Sequence, residues 1–248
     1  MPAAQTPGLV LLPGMDGTGE LFEPLVAHVD GRLATTVVRY PGDRFLDYDA
    51  LTALVTRSLP EDRPFVILGE SFSGPVAVKL AAARPSGLRG IILGASFVSN
   101  PWPVMTPMLG LLDLTPIHFV ARTFGVVQLT GRFGNGDLHQ RLKASLAQVS
   151  ASVLRARARE AATTDVTAEL TAFDGPSLYL RASEDAVVPK SAADRFAAVA
   201  RNGRVDTITG PHCLLQCAPA QCAQVIERFV ATVAGGASPS VVSGAAGA

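Results

Sequence analysis

The chain has 248 residues, enough for one α/β domain with a large core and an insertion. Its 21 basic and 21 acidic side chains cancel to a net charge of +0 at pH 7, which argues against a nucleic acid or an anionic membrane as partner. With 48% hydrophobic and 17% charged residues, the composition fits a buried parallel sheet whose strands are apolar on both faces.

The start, Met1 to Pro7, lacks a basic leader, and the apolar run after it is only Gly8 to Leu12. The greasiest region is interrupted by Pro107, Asp113 and Pro116, so no stable membrane anchor is expected and the reading is cytoplasmic. Gly8 to Leu12 reads as a buried strand running into Pro13-Gly14-Met15-Asp16-Gly17-Thr18-Gly19. Glycines there let a ligand approach the main chain, but the spacing is neither of the phosphate-loop patterns. Glu20 to Val29 has Leu21, Leu25 and Val29 at helical spacing. Thr36 to Tyr40 is a second strand, and Asp49 is a candidate cap for a helix through Leu51, Leu54, Val55 and Leu59.

Phe65 to Leu68 is a third strand, stopped by Gly69-Glu70-Ser71-Phe72-Ser73-Gly74, and a helix follows from Pro75. A serine between small residues on such a strand-to-helix turn has its hydroxyl pushed out of the sheet top. The first amides of the helix then face the space above it. Leu88 to Gly94 is a fourth strand, Ser177 to Ala182 a fifth and Arg204 to Thr209 a sixth, with helices over Ser191 to Val199 and Ala220 to Val233. This alternation predicts a doubly wound, mostly parallel α/β sheet, with ligands at the carboxyl ends of its strands.

The rhythm breaks between the fourth and fifth strands. Leu138, Leu142, Leu146, Val149 and Val153 form one apolar stripe, with Arg141, Lys143, Arg155, Arg157 and Arg159 around it. The expected division is a core of residues 1–97 and 170–234, a helical cap or lid over 98–169, and a disordered tail over 235–248. Trp102, Met105 and Met108 at the start of the insertion are candidate substrate-binding residues.

Chemistry converges on three residues just past strand ends: Ser71, Asp185 and His212. A serine hydroxyl needs an imidazole to take its proton, and the imidazole needs an acceptor on its other nitrogen. Glu184 is the alternative acid, adjacent to Asp185. Asp16 is read as capping its own loop, His28 as a surface or packing residue, and His118 and His139 as structural or surface. Cys213, Cys217 and Cys222 lack a paired metal spacing and read as small buried thiols, so no metal and no cofactor is expected.

These pieces together resemble the α/β-hydrolase superfamily, in its serine esterase or lipase-like branch, over Gly8 to about Val233. Leu12-Pro13-Gly14-Met15 matches the oxyanion turn, Gly69-Glu70-Ser71-Phe72-Ser73 the nucleophile, Asp185-Ala186-Val187-Val188-Pro189 the acid and Gly210-Pro211-His212 the base. The resemblance implies an oxyanion hole from the amides of Met15 and Phe72, and hydrolysis of a small-molecule ester with an apolar portion. Thioesterase, acyltransferase and C–C bond hydrolase share the triad, and a non-catalytic ligand-binding protein shares the fold. The nucleophile Ser71 in place of Asp argues against the dehalogenase and epoxide hydrolase branches. The Pro13 to Gly19 turn also resembles that of plant phytyl ester synthase-type acyltransferases. Two positions depart from the family: Pro13 where many members carry His, and Ser73 where they carry Gly. No oligomeric state follows from the sequence.

Overall fold

Each buried strand alternates its side chains between two apolar layers. Leu9, Leu11, Val66 and Leu68 pack on one face of the sheet, and Val10, Leu12, Phe65 and Ile67 on the other. The period of two sends successive residues to opposite faces, and both faces are roofed by helices. A computed structural model of the protein describes residues 5–234; the tail expected over 235–248 lies outside them.

The strands are β1 (Gly8–Leu12), β2 (Thr35–Val37), β3 (Phe65–Glu70), β4 (Leu88–Gly94), β5 (Ser177–Ala182) and β6 (Gly203–Ile208). They form one six-stranded sheet in the order β2-β1-β3-β4-β5-β6, every pair parallel. The helices are α1 (Glu23–Val29), α2 (Tyr48–Thr56), α3 (Gly74–Ala83), α4 (Ile117–Val120), α5 (Val126–Thr130), α6 (Gly136–Ala147), α7 (Ala151–Thr163), α8 (Thr167–Ala172), α9 (Lys190–Val199), α10 (Leu214–Cys217) and α11 (Pro219–Ala234). Helices α1 and α11 cover one face, and α2, α3, α8 and α9 the other. From β1 the chain first moves to one side to lay down β2, then returns past it to lay down β3. The winding reverses between β1 and β3, and a crevice opens there at their carboxyl ends.

Several sequence expectations are corrected. The second strand is Thr35–Val37, shorter than Thr36 to Tyr40. Val38 N still donates to Leu11 O, but Tyr40 N donates to Gly17 O, because the chain turns off the sheet to pack under the glycine-rich loop. The cap of α2 is Asp47, whose side chain accepts from Ala50 N; Asp49 lies inside the first turn and pairs with Lys79. The stripe from Leu138 to Val153 is split between α6 and α7, although its five residues are all buried in one cluster.

The segment between β4 and β5 begins and ends side by side. Ser99 and Asp165 form an antiparallel bridge, Asn100 N donates to Thr164 O, and Val166 N donates to Val98 O. Within it, 3-10 turns cover Pro103–Leu114 before α4. Among the described residues no single helix is long and apolar enough to cross a membrane. Pro103–Leu114 and Ile117–Phe133 qualify only as a pair bent by 117°.

Candidate active site

The turn after β3 is built for one exposed hydroxyl. Ser71 has φ +49, a left-handed conformation that a non-glycine residue adopts only where its surroundings over-determine it. Glycines flank it for steric reasons. A Cβ at Gly69 would overlap the carbonyl oxygen of Ser73, and one at Gly74 would overlap Ser96 Oγ. Ser96 Oγ in turn donates to the Ser71 carbonyl and holds the strained turn from the β4 side. A 3-10 turn over Ser71–Ser73 leads into α3. Phe72 thus sits in the first turn, where an N–H has no helical acceptor.

Two loops from distant parts of the chain complete a line of hydrogen bonds. Ser71 Oγ lies 2.9 Å from His212 Nε2, and His212 Nδ1 lies 2.9 Å from Asp185 Oδ2 and 3.0 Å from Oδ1. Both partners are buried, with side chains 5% and 7% exposed. Asp185 Oδ1 also accepts from Val187 N at 2.8 Å and Val188 N at 2.7 Å, so the carboxylate is fixed by its own loop. Glu184, the alternative acid, points to solvent and is bonded by Arg132, which holds its carboxyl below the usual range.

The glycine-rich loop faces Ser71 across the crevice. β1 and β3 pair Leu12 with Gly69, so the residues that follow, Pro13-Gly14 and Glu70-Ser71, emerge side by side. Gly14 O accepts from Gly17 N at 3.0 Å. In a trans peptide this aims the N–H of Met15 the opposite way. Asp16 is bonded within its loop, Oδ2 accepting from Thr18 N at 2.9 Å and from Ser145 Oγ of α6 at 2.7 Å.

Two residues here carry more than the sequence suggested. Arg157 of α7 is only 1% exposed. Its Nη1 donates to Met15 O at 2.8 Å and Asp16 O at 3.2 Å, and its Nη2 to Pro41 O at 2.8 Å. Burial pulls its pKa down, with Asp16 opposing. The signal was present in the sequence, since Arg157 is four residues beyond Val153 and continues the buried stripe. Ser73, the departure from glycine, is fully buried. Its Oγ donates to Pro13 O and lies 2.8 Å from Tyr40 Oη, which ties the elbow to the opposite turn.

A cavity of about 80 Å³ opens on Ser71 and His212. Its walls include Met15, Leu21, Leu129, Leu142 and Leu146, with Glu70 and Asp16 also lining it. Trp102, Met105 and Met108 are not brought there. They line a separate apolar cavity of about 350 Å³ with Leu109, Leu112, Ala158 and Ala162. His139 bonds Thr130 and His28 bonds Pro24 O, both away from the crevice. Among the described residues no three His, Cys, Asp or Glu side chains cluster as metal ligands. The three cysteines are free, and burial raises their thiol pKa values, that of Cys217 to about 11 and that of Cys222 to about 12.

Known proteins share this architecture. The biotin biosynthesis bifunctional protein BioHC of Cellvibrio japonicus (strain Ueda107) is 27% identical over 246 residues, covering 92% of this chain and 48% of that protein. The chain therefore spans about half the length of that relative. A pimeloyl-acyl-carrier-protein methyl ester esterase of Nitrosomonas europaea is 26% identical over 225 residues, 84% of this chain and 88% of that one. The crystal structure of a bromoperoxidase from Bacillus anthracis matches with a TM-score of 0.79 at 16% identity, covering 92% of each chain, a likeness of fold. A family described as "Alpha/beta hydrolase family" matches residues 9–225. With that match spanning most of the sequence and the parallel sheet beneath it, the chain belongs to the alpha/beta hydrolase family.

Proposed function

We propose that the protein is a serine hydrolase that cleaves carboxylic esters through an acyl-enzyme on Ser71. The observation that carries this reading is the continuous hydrogen-bonded line from Ser71 Oγ through both nitrogens of His212 to Asp185. His212 Nε2 takes the hydroxyl proton as Oγ attacks the ester carbonyl. The negative charge that collects on the carbonyl oxygen is met by the amides of Met15 and Phe72, each worth about 3 kcal/mol at the transition state. Asp185 holds the imidazolium by Nδ1–H and stays ionised itself. His212 then gives its proton to the leaving alkoxide. A water molecule attacks the acyl-enzyme with His212 again as base, and the acid and free Ser71 result.

The relative from Nitrosomonas europaea, an esterase by name, supports ester chemistry over other uses of the fold. We assign the segment 98–169 the role of a cap, since Leu129, Leu142 and Leu146 of that segment wall the cavity at Ser71. Trp102, Met105 and Met108 are assigned to an apolar portion of the substrate outside that cavity. The test is labelling with a fluorophosphonate probe: wild type reacts and Ser71→Ala does not. A folded wild-type protein that resists the probe would sink the reading. Cleavage of acyl-CoA by a protein inert towards p-nitrophenyl esters would replace ester by thioester.

A further inference from the structure

The cavity at Ser71 contains a carboxyl group that the acyl-enzyme chemistry does not use. Glu70 ends β3, immediately before the nucleophile, and is 8% exposed. It lines the cavity together with Ser71 and His212. Its hydrogen-bond partner among the described residues is Gln216 Nε2 at 2.9 Å, from α10, the helix just after His212. The same Nε2 reaches Leu21 O at 3.3 Å, so the amide is anchored on two sides.

The groups around Glu70 do not neutralise it. Asp16 and Cys213 share the cavity, and Cys222 lies behind it on α11. His212 faces it from the loop after β6. Arg157 is committed to the carbonyls of Met15, Asp16 and Pro41. A carboxyl with one amide donor and no cation is costly to ionise when buried. Burial is the largest influence and Asp16 adds to it, against Gln216 and His212; the balance raises the pKa to about 7.

Size sets a second limit. A cavity of about 80 Å³ is roughly half of one that accommodates benzene, so it has room for about three or four non-hydrogen atoms. Four leucines and Met15 supply its apolar walls, with two carboxyl groups set among them.

We infer that Glu70 is a specificity-determining residue, and that this cavity takes a short, uncharged end of the ester and rejects one ending in a carboxylate. The inference rests on the acyl-enzyme reading of Ser71. Above pH 7 Glu70 is an anion, and across a cavity this narrow it repels a second anion at close range. Below pH 7 it is a neutral acid whose O–H can donate to a neutral substrate, and rejection weakens.

The test uses two matched pairs of esters in a pH-stat. Monomethyl malonate against methyl malonamate varies charge on the acyl half. Acetoxyacetate against acetoxyacetamide varies it on the alcohol half. Within each pair the ratio of kcat/KM, neutral over anionic, cancels the pH dependence of the chemical step, which both substrates share. One pair is expected to show a ratio that rises about tenfold or more from pH 6 to pH 8, the scale of one partly desolvated charge pair. In Glu70→Gln that rise disappears. In Gln216→Met the midpoint of the rise moves above pH 7, because the amide that favours the ionised form is gone; this arm stands even where Glu70→Gln fails to fold. A protein labelled by fluorophosphonate but with a flat ratio in both pairs overturns the inference alone. So does a rise that persists in folded Glu70→Gln. Failure of labelling overturns the acyl-enzyme reading and takes the inference with it.

Discussion

Replacing Arg157 by methionine keeps the aliphatic bulk on α7 and removes the guanidinium. Three buried or half-buried carbonyls, those of Met15, Asp16 and Pro41, lose their donor. Each orphaned acceptor costs about 1 kcal/mol or more, or roughly 3 kcal/mol together. Relief from burying a cation offsets part of this, as the lowered pKa of Arg157 shows that burial works against its charge. A net loss of about 2 kcal/mol remains, equivalent to about 4–8 °C in Tm for a domain of this size. The effect on rate follows from position. Arg157 fixes the Met15–Asp16 peptide, and the neighbouring Gly14–Met15 peptide carries the amide proposed to meet the oxyanion. Letting that turn drift is expected to lower kcat by about 10²-fold, the cost of losing one such donor. KM changes less, since the leucine walls of the cavity are untouched. The assay is steady-state hydrolysis of p-nitrophenyl acetate beside thermal unfolding. A variant that unfolds earlier but keeps the native kcat refutes the claim that Arg157 positions the Met15 amide.

Asp185→Asn leaves the loop amides of Val187 and Val188 an acceptor but removes the charge that favours the imidazolium, so kcat is expected to fall by about 10⁴-fold with binding little changed. Ser73→Gly restores the family's residue but strands Tyr40 Oη and the Pro13 carbonyl in the interior. A loss of about 1–3 kcal/mol in urea unfolding is expected, where a stability gain would show that glycine packs better. Burial raises Glu70 from the ordinary 4.5 to about 7 in the folded chain, so its neutral form favours the folded state and that contribution is lost as pH rises from about 4.5 through 7. The shift corresponds to about 3 kcal/mol; Glu70→Gln should flatten this part of the stability curve, and an unchanged curve would contradict the burial of the carboxyl.

Much of the fold was legible in the chain. Strands β1, β4 and β5 fall on the runs that predicted them, because a strand buried on both faces is apolar along its buried stretch, and Arg89 and Arg181 stand only where burial is incomplete. The edge strand β2 was over-read, since at an edge half the contacts are missing and the loop under β1 recruits Val38 to Tyr40 instead. The cap of α2 was misassigned by two residues, as Asp47 and Asp49 offer the same chemistry and only φ/ψ at Asp47 decides between them. At the candidate site, the order Ser71, Asp185, His212 at three strand ends could be read directly. Arg157 and Trp102 could not be placed. Helical spacing marks Arg157 as buried, but which carbonyls it bonds, and which cavity Trp102 lines, depend on segments remote in the chain.

The sequence by itself determined which backbone can make the elbow, because Gly69, Ser71 and Gly74 act through local sterics and a neighbouring turn. It also determined the parallel winding, through the alternation of apolar strands with helices. Tertiary structure alone decided the environment of each polar group. Ser73 became a tie to Pro13 and Tyr40, Arg157 a clamp on Met15, and Glu70 a carboxyl buried without a cation, through partners that only folding brings near. The physical reason is that a group's charge state and bonding depend on desolvation and on neighbours remote in the chain, while its capacity to turn or extend the backbone is its own.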